Sequence, residues 1–256
     1  MTVYRGWWFE LDEDKHPKHM ILIQVMVGVL LMTSVPKKIG IIGGSGALGA
    51  GLAKRWAKSG YQVVVGSRDD AKAQLAAQKL NEEANVNSIT GKDNKLAASD
   101  ADLVVLTVPF SNQLPSLELI KEELNGKILI DVTVPLVPPK VRTVHIPNGG
   151  SCAKAAQDFL GDEVRVVSAF QNVAATHLDD LDHTIDCDVL VCGNDPAARE
   201  VVVQLAADAG MKAWHAGVIA NSIVAEAMTS TLIFMNNRYK IDGAGLKITG
   251  TPGSAS

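Results

Sequence analysis

The stretch Gly43 to Arg68, GGSGALGAGLAKRWAKSGYQVVVGSR, restricts the fold more than any other part of the chain. Lys38-Ile39-Gly40-Ile41-Ile42 precedes it, a short apolar run suited to a buried parallel strand. Gly44-x-Gly46-x-x-Gly49 then turns the chain. Leu48, Leu52, Ala53 and Trp56 follow at helical spacing, and Gly60 suits a helix end. Tyr61 to Val65 reads as a second strand. The order is strand, glycine turn, helix, strand.

That order gives the glycines a job. One makes a tight turn, one lets backbone approach a pyrophosphate, and one lets helix and strand pack closely. The helix start offers free N–H groups and a positive dipole end to phosphate. A Gly-x-Gly-x-x-Gly pattern alone is weak; between strand and helix it points to a dinucleotide. The alternative is a structural turn that binds nothing. After the second strand stand Gly66-Ser67-Arg68, where an NAD site usually has Asp or Glu for the ribose 2′-hydroxyl. A serine hydroxyl and a planar guanidinium suit a 2′-phosphate. Lys72 adds a point charge, and Ser45 is also within reach. These residues favour NADP over NAD, although Asp69 and Asp70 offer carboxylates for the NAD alternative.

The later segments alternate in the same way. Asp70 to Ala84 reads as a helix, Ser88 to Gly91 as a short strand, and Asn94 to Ser99 as a short helix or turn. Leu103 to Val108 is a buried strand ending at Pro109-Phe110, Leu114 to Leu124 a helix, and Lys127 to Asp131 a fifth strand. Ser151 to Leu160, Asn194 to Gly210 and Ile219 to Asn236 read as helices. Val164 to Ala169, Cys187 to Cys192 and Lys212 to His215 read as strands. The pattern predicts an α/β fold: a Rossmann-type doubly wound parallel sheet with a smaller C-terminal α/β part. Ligands then bind beyond the C-terminal ends of the strands.

Residues 37–150 are expected to form the dinucleotide-binding domain and 151–250 the C-terminal part, with 251–256 a loose tail. Residues 1–36 differ in character. Met20 to Met32 is mostly apolar but shorter than the ~20 residues of a membrane helix, and no small-residue cleavage site follows. The expectation is an extension that is not native, with the natural start at Met32 or Met20. The rival is a membrane-touching or packed segment.

Residues 132–150 form a long proline-rich connection, apolar at Val132, Val134, Leu136 and Val137. It either frames a pocket for a flat ring or packs on the second half of the chain. A net charge of −4 gives no basic footprint for nucleic acid. Cys152, Cys187 and Cys192 form no CxxC, so a reducing cytoplasm is the natural compartment. His177, Asp179, Asp180, Asp182 and His183 suggest a metal cluster. They alternate around the segment, however, and a polar helix end with Leu178 and Leu181 turned inward is favoured; no metal is expected.

Several motifs together resemble the F420-dependent NADP oxidoreductases. They are Gly43 to Gly49, Gly66-Ser67-Arg68 with Lys72, Ser88 to Gly91, Val134 to Pro138, Val166 to Asn172, Asp186 to Gly193, Ala216-Gly217 and Ala220 to Ser222. The likeness spans about residues 37–250. It implies a homodimer and reversible hydride transfer between NADP(H) and the deazaflavin coenzyme F420. Gly44, Ser45, Gly46, Ala47 and Leu48 would hold the pyrophosphate side, and Ser67, Arg68 and Lys72 the 2′-phosphate. Pro109 and Phe110 would lie near the cofactor. Ala175 would offer its N–H to the nicotinamide carboxamide. Val137 and Pro138 would flank the deazaflavin, with Ala244 nearby. No catalytic acid or base is nominated, because hydride passes directly between the cofactors. Ser45 stands where relatives often have Thr, and the segment after Arg68 is acidic. The alternatives are an NADPH-dependent reductase of another acceptor (flavin, metal chelate or imine) and a non-enzymatic NADP sensor.

Overall fold

The computed structural model describes residues 37–252. The expected N-terminal extension lies outside the described residues, as do the last residues of the tail.

The strands are β1 (Lys38–Ile42), β2 (Gln62–Ser67), β3 (Ile89–Asp93), β4 (Leu103–Leu106), β5 (Ile128–Asp131), β6 (Arg165–Ser168), β7 (Val189–Gly193) and β8 (Ala213–His215). They form one sheet in the order β3-β2-β1-β4-β5-β6-β7-β8. Pairing is parallel from β3 to β6, reverses between β6 and β7, and is parallel again to β8. Ile41 stands in register with Val65 on one side and Val105 on the other. The strand order switches direction between β1 and β4, which opens a crevice beyond their C-terminal ends.

Successive side chains on a strand face opposite ways, so each strand feeds two cores. Ile39 and Ile41 point to one face, with Leu52, Ala53 and Trp56 of α1 (Ala47–Lys58), Ala77 and Leu80 of α2 (Asp70–Ala84), and Val202 and Leu205 of α7 (Pro196–Asp208). Ile42 and Val64 point to the other. There they meet Ala97 and Ala98 of α3 (Asn94–Asp100), Leu117 and Ile120 of α4 (Gln113–Ile120), and Ala153, Ala156 and Leu160 of α5 (Cys152–Leu160). This is the doubly wound arrangement. The remaining helices are α6 (Ala175–Asp179) and α8 (Ser222–Tyr239).

Some boundaries differ from expectation for local reasons. β4 ends at Leu106 because the chain turns into Pro109 and a short 3-10 turn at Phe110–Asn112. β7 begins at Val189 because Asp188 serves the tail: its N–H donates to the Leu246 carbonyl and its carboxylate accepts from Ile248 N. Ile219–Asn221 is a 3-10 turn before α8.

Two buried charged side chains hold the C-terminal segments. Arg55, on α1, donates to the carbonyls of His177, Leu178, Asp180, His183 and Ala209, at 2.6–3.3 Å. Burial pulls its pKa below the ordinary guanidinium value, with Asp180 opposing. The segment between α6 and β7 has almost no regular structure, so these contacts replace a ladder. Glu226, on α8, accepts from Cys152 N (2.6 Å) and Ala153 N (3.1 Å), two orphan donors at the start of α5. Ser151 accepts from Lys154 N and receives a bond from the Ser222 hydroxyl.

Burial pushes the Glu226 carboxyl up to about 7; the two backbone N–H groups pull the other way, and the Asp131 carboxylate adds to the rise. Asp131 is raised too, by its own burial. The Cys152 and Cys192 thiols beside Glu226 are both pushed up by burial. An acid raised in the folded state contributes stability below its ordinary value of 4.5, and that contribution is lost as pH climbs through about 7. We therefore expect the melting temperature to fall between those pH values. Glu226→Gln should flatten the fall without abolishing it, since Asp131 remains; an unchanged slope would overturn this assignment. We also expect Arg55→Ala to cost roughly 2–4 kcal/mol in urea unfolding. Limited proteolysis of that variant should cut first within residues 177–183.

Candidate functional site

The site begins where β1 ends. Gly43 takes φ 82° and turns the chain. Gly44 N donates to Ile41 O, and Gly46 N to Gly43 O. Gly49 sits against the exit from β4: a β-carbon there would lie 2.6 Å from Thr107 Oγ1 and 2.9 Å from Gly44 Cα. Only glycine lets α1 start this close to the sheet.

The start of α1 has no side-chain cap; Gly46 precedes it in extended backbone. In contrast, α2, α3, α5 and α7 are capped by Asp69, Asp93, Ser151 and Asp195. The first N–H groups of α1, at Ala47 and Leu48, are therefore left for an anion.

Ser67 and Arg68 lie at the end of β2. Asp69 accepts from Lys72 N (3.2 Å), and Asp70 accepts from Gln74 Nε2 (2.6 Å). Both carboxylates are engaged in starting α2. Arg68 is exposed and in no ion pair among the described residues, so its fork is free. Ser67 Oγ accepts from Asp69 N at 3.3 Å. A crevice of about 330 Å³ brings Ser45, Gly46, Ser67, Arg68 and Pro109 together. Its far wall is Asn112 of the β4–α4 turn with Pro115, Ser116 and Leu119 of α4, and Asn94 also lines it. Lys72 lies outside this wall, 3.9 Å from Asp69 and largely exposed.

A second hollow of about 290 Å³ joins Ser45 and Ala47 to Ala175 and Thr176. Ala175 opens α6, whose start also lacks a side-chain cap. Asp179 and Glu83, which also line the hollow, both pair with Lys54, at 2.7 and 3.1 Å. These carboxylates raise its pKa against burial, the largest single influence, which lowers it.

Phe110, Val137, Pro138 and Ala244 line neither space. The connection 132–150 divides in two. Val132, Thr133 and Pro135 are buried, whereas residues 137–140 are exposed. Farther along, His145 approaches the Phe110 ring at 6.1 Å, and Arg142 donates to Asn237 Oδ1. Asn236 Oδ1 accepts from Ala244 N at 2.8 Å. The last turns of α8 are thus a common anchor for the connection and for the tail.

The His177–His183 segment is held by its carbonyls on Arg55, with the two imidazoles stacked at 4.2 Å and Leu178 fully buried. Leu181 is only partly buried. Among the described residues, no group of three or more His, Cys, Asp or Glu side chains converges as a metal site. All three cysteines are buried and unpaired, and burial raises each thiol. No helix among the described residues is long and apolar enough to cross a membrane.

The sequence and the fold are similar to those of known proteins. Residues 38–135 match the family described as NADP oxidoreductase coenzyme F420-dependent. An F420-dependent NADP reductase of Methanocaldococcus jannaschii is 42% identical over 220 residues, covering 83% of this chain and 98% of that protein. Another, of Methanothermobacter thermautotrophicus, is 38% identical over 234 residues, covering 89% and 99%. The chain belongs to the F420-dependent NADP oxidoreductase family. A crystal structure of a putative F420-dependent NADP reductase from Arthrobacter sp. FB24 superposes with a TM-score of 0.70 at 25% identity, over 84% of this chain and all of that one.

In this member of the family, some contributors to the crevice are scarcely marked by any local sequence pattern. Asn94, Asn112 and Ser116 come to the crevice only once β3 and β4 are placed beside β2 and β1. The one local signal was Asp93-Asn94 as a helix start. Arg55 and Glu226 find their partners more than seventy residues away, which no short-range pattern discloses.

Proposed function

We propose that this chain catalyses reversible hydride transfer between NADP(H) and coenzyme F420. The observation that carries the reading is the crevice itself. It brings the free fork of Arg68 and the uncapped turn of α1 together, in a chain akin to F420-dependent NADP reductases. The residues fit a phosphorylated dinucleotide: Asp69 and Asp70 are committed to α2, so β2 ends in Ser67 and Arg68 with no free ribose-directed carboxylate.

Backbone N–H groups of Ser45, Ala47 and Leu48 would face the pyrophosphate, where the dipole of α1 favours negative charge, while Gly44 and Gly46, whose own N–H groups close the turn, would let the phosphates approach the backbone. Ser67 and Arg68 would hold the 2′-phosphate, and Lys72 would turn from Asp69 to join them. Pro109 and Phe110 would wall the path beyond β4. Ala175 would offer its N–H to the nicotinamide carboxamide. Val137 and Pro138 would lie along the deazaflavin ring with Ala244, positioned from the last turns of α8. When bound, the nicotinamide C4 and the deazaflavin C5 supply the hydride donor and acceptor. The chain's own task is to bring the two ring sites together and exclude water. No side chain is assigned as general acid or base.

We further propose that residues 37–150 form the NADP half and residues 151–250 the deazaflavin half, with 251–256 as a tail. A homodimer working in the cytoplasm completes this reading. Exposed Val224 and Phe234 on α8 support a second copy as the partner of that helix.

Mixing the protein with NADPH and oxidised F420 should bleach the deazaflavin's visible absorbance. NADH in place of NADPH, or FMN in place of F420, should give little change. No bleaching by protein that binds NADPH would overturn the choice of acceptor. Arg68→Ala should weaken NADPH by ~1.5–3 kcal/mol while leaving NADH nearly unchanged. Equal losses for the two cofactors would show that Arg68 does not read the 2′-phosphate.

A further inference from the structure

Asn94 is the first residue of α3, yet its side chain turns inward. It is 7% exposed, and its Oδ1 is shut off from water with no hydrogen-bond partner among the described residues. Oδ1 stands 2.8 Å from where a β-carbon of Gly66 would be. The carboxamide therefore occupies space that any larger residue at 66 would take. It also lines the crevice, beside Ser67 and Arg68. Strand pairing fixes this position: Ser67 of β2 is in register with Asp93 of β3, one residue before Asn94.

A buried polar atom with no partner carries the full desolvation cost of that group, and such exceptions call for a reason. α3 does not need this side chain, since Asp93 caps it by accepting from Lys95 N and Leu96 N. The neighbouring cores are apolar and would accept a leucine of similar size without leaving an unpaired oxygen. The feature that does use a carboxamide is the crevice.

We propose that the Asn94 carboxamide is a ribose-binding group, exchanging a hydrogen bond with the 3′-hydroxyl of the adenosine ribose. This role rests on the NADP reading of the crevice. Asn94 adjoins Gly66, immediately before the Ser67–Arg68 pair assigned to the 2′-phosphate, and the 3′-hydroxyl is on the adjacent ribose carbon. Phosphorylation removes the 2′-hydroxyl, so the 3′-hydroxyl is the free donor left on that ribose edge. A carboxamide presents a donor and an acceptor side by side, and a hydroxyl can answer either. The pairing therefore works whichever way the amide is turned. The exocyclic amine of adenine, a donor only, would match one orientation alone.

Calorimetric titration with adenosine 2′,5′-bisphosphate and its 3′-deoxy analogue tests the role without turnover. Loss of the 3′-hydroxyl should weaken binding to the unaltered protein roughly 3- to 10-fold. Asn94→Ala should weaken the bisphosphate by a similar factor and show no further loss with the analogue. Asn94→Leu, nearer in shape, should behave alike and serves if the alanine variant melts too low to titrate. Equal 3′-deoxy penalties in altered and unaltered protein would make Asn94 a space-filling residue and overturn the role. An unaltered protein that binds neither the bisphosphate nor NADPH would overturn the NADP reading itself, and this role with it.

Discussion

The approach of Gly49 to Thr107 is the contact on which the rest depends. The Thr107 hydroxyl donates to the Ile42 carbonyl at 3.0 Å and fills the place where a β-carbon of Gly49 would stand. One side chain thus joins the end of β1, the start of α1 and the exit from β4. With those three fixed, α1 has to start close against the sheet, and its first N–H groups open into the gap left by the switch in strand order. The crevice follows from this closeness. Its depth is set by backbone against backbone, and its chemistry by the few side chains that surround the gap.

Much of this was legible because the relevant physics is local. Strands buried on both faces leave unbroken apolar runs, and β1, β2, β4 and β5 were located from them to within a few residues. The turn from Gly43 to Gly49 was legible because glycine is demanded by backbone geometry and is seldom placed idly. Ser67 and Arg68 were legible as an exception, standing where an acid is usual. The reversed direction of β7 was not legible, since a short apolar run reads alike in either direction. The two carboxylates after Arg68 were ambiguous in sequence. Their use in capping and bracing α2 becomes clear only from the direction each side chain takes.

The half that would face the deazaflavin is assembled differently. The dinucleotide side rests on regular elements next to one another in sequence. Phe110, Val137, Pro138 and Ala244 sit on irregular segments instead, tied back through Arg142, Asn236 and Asn237 to the end of α8. A resemblance between whole motifs could suggest these residues, whereas periodicity could not. Such segments are less deeply anchored than strands, which would suit the proposed entry and exit of a second large ring.

Arg55 has a consequence of another kind. Its guanidinium is satisfied by main-chain carbonyls at 177, 178, 180, 183 and 209, and by no side chain among the described residues. Backbone carbonyls are the same whatever residue bears them, so the Arg55 contacts place no demand on the segment's composition. The segment is not free to change in length, because one inserted residue would move a carbonyl out of reach and strand a buried N–H. Arg55 thus acts as a gauge that measures residues rather than reads them, and it keeps the run from residue 177 to residue 183 to a fixed count.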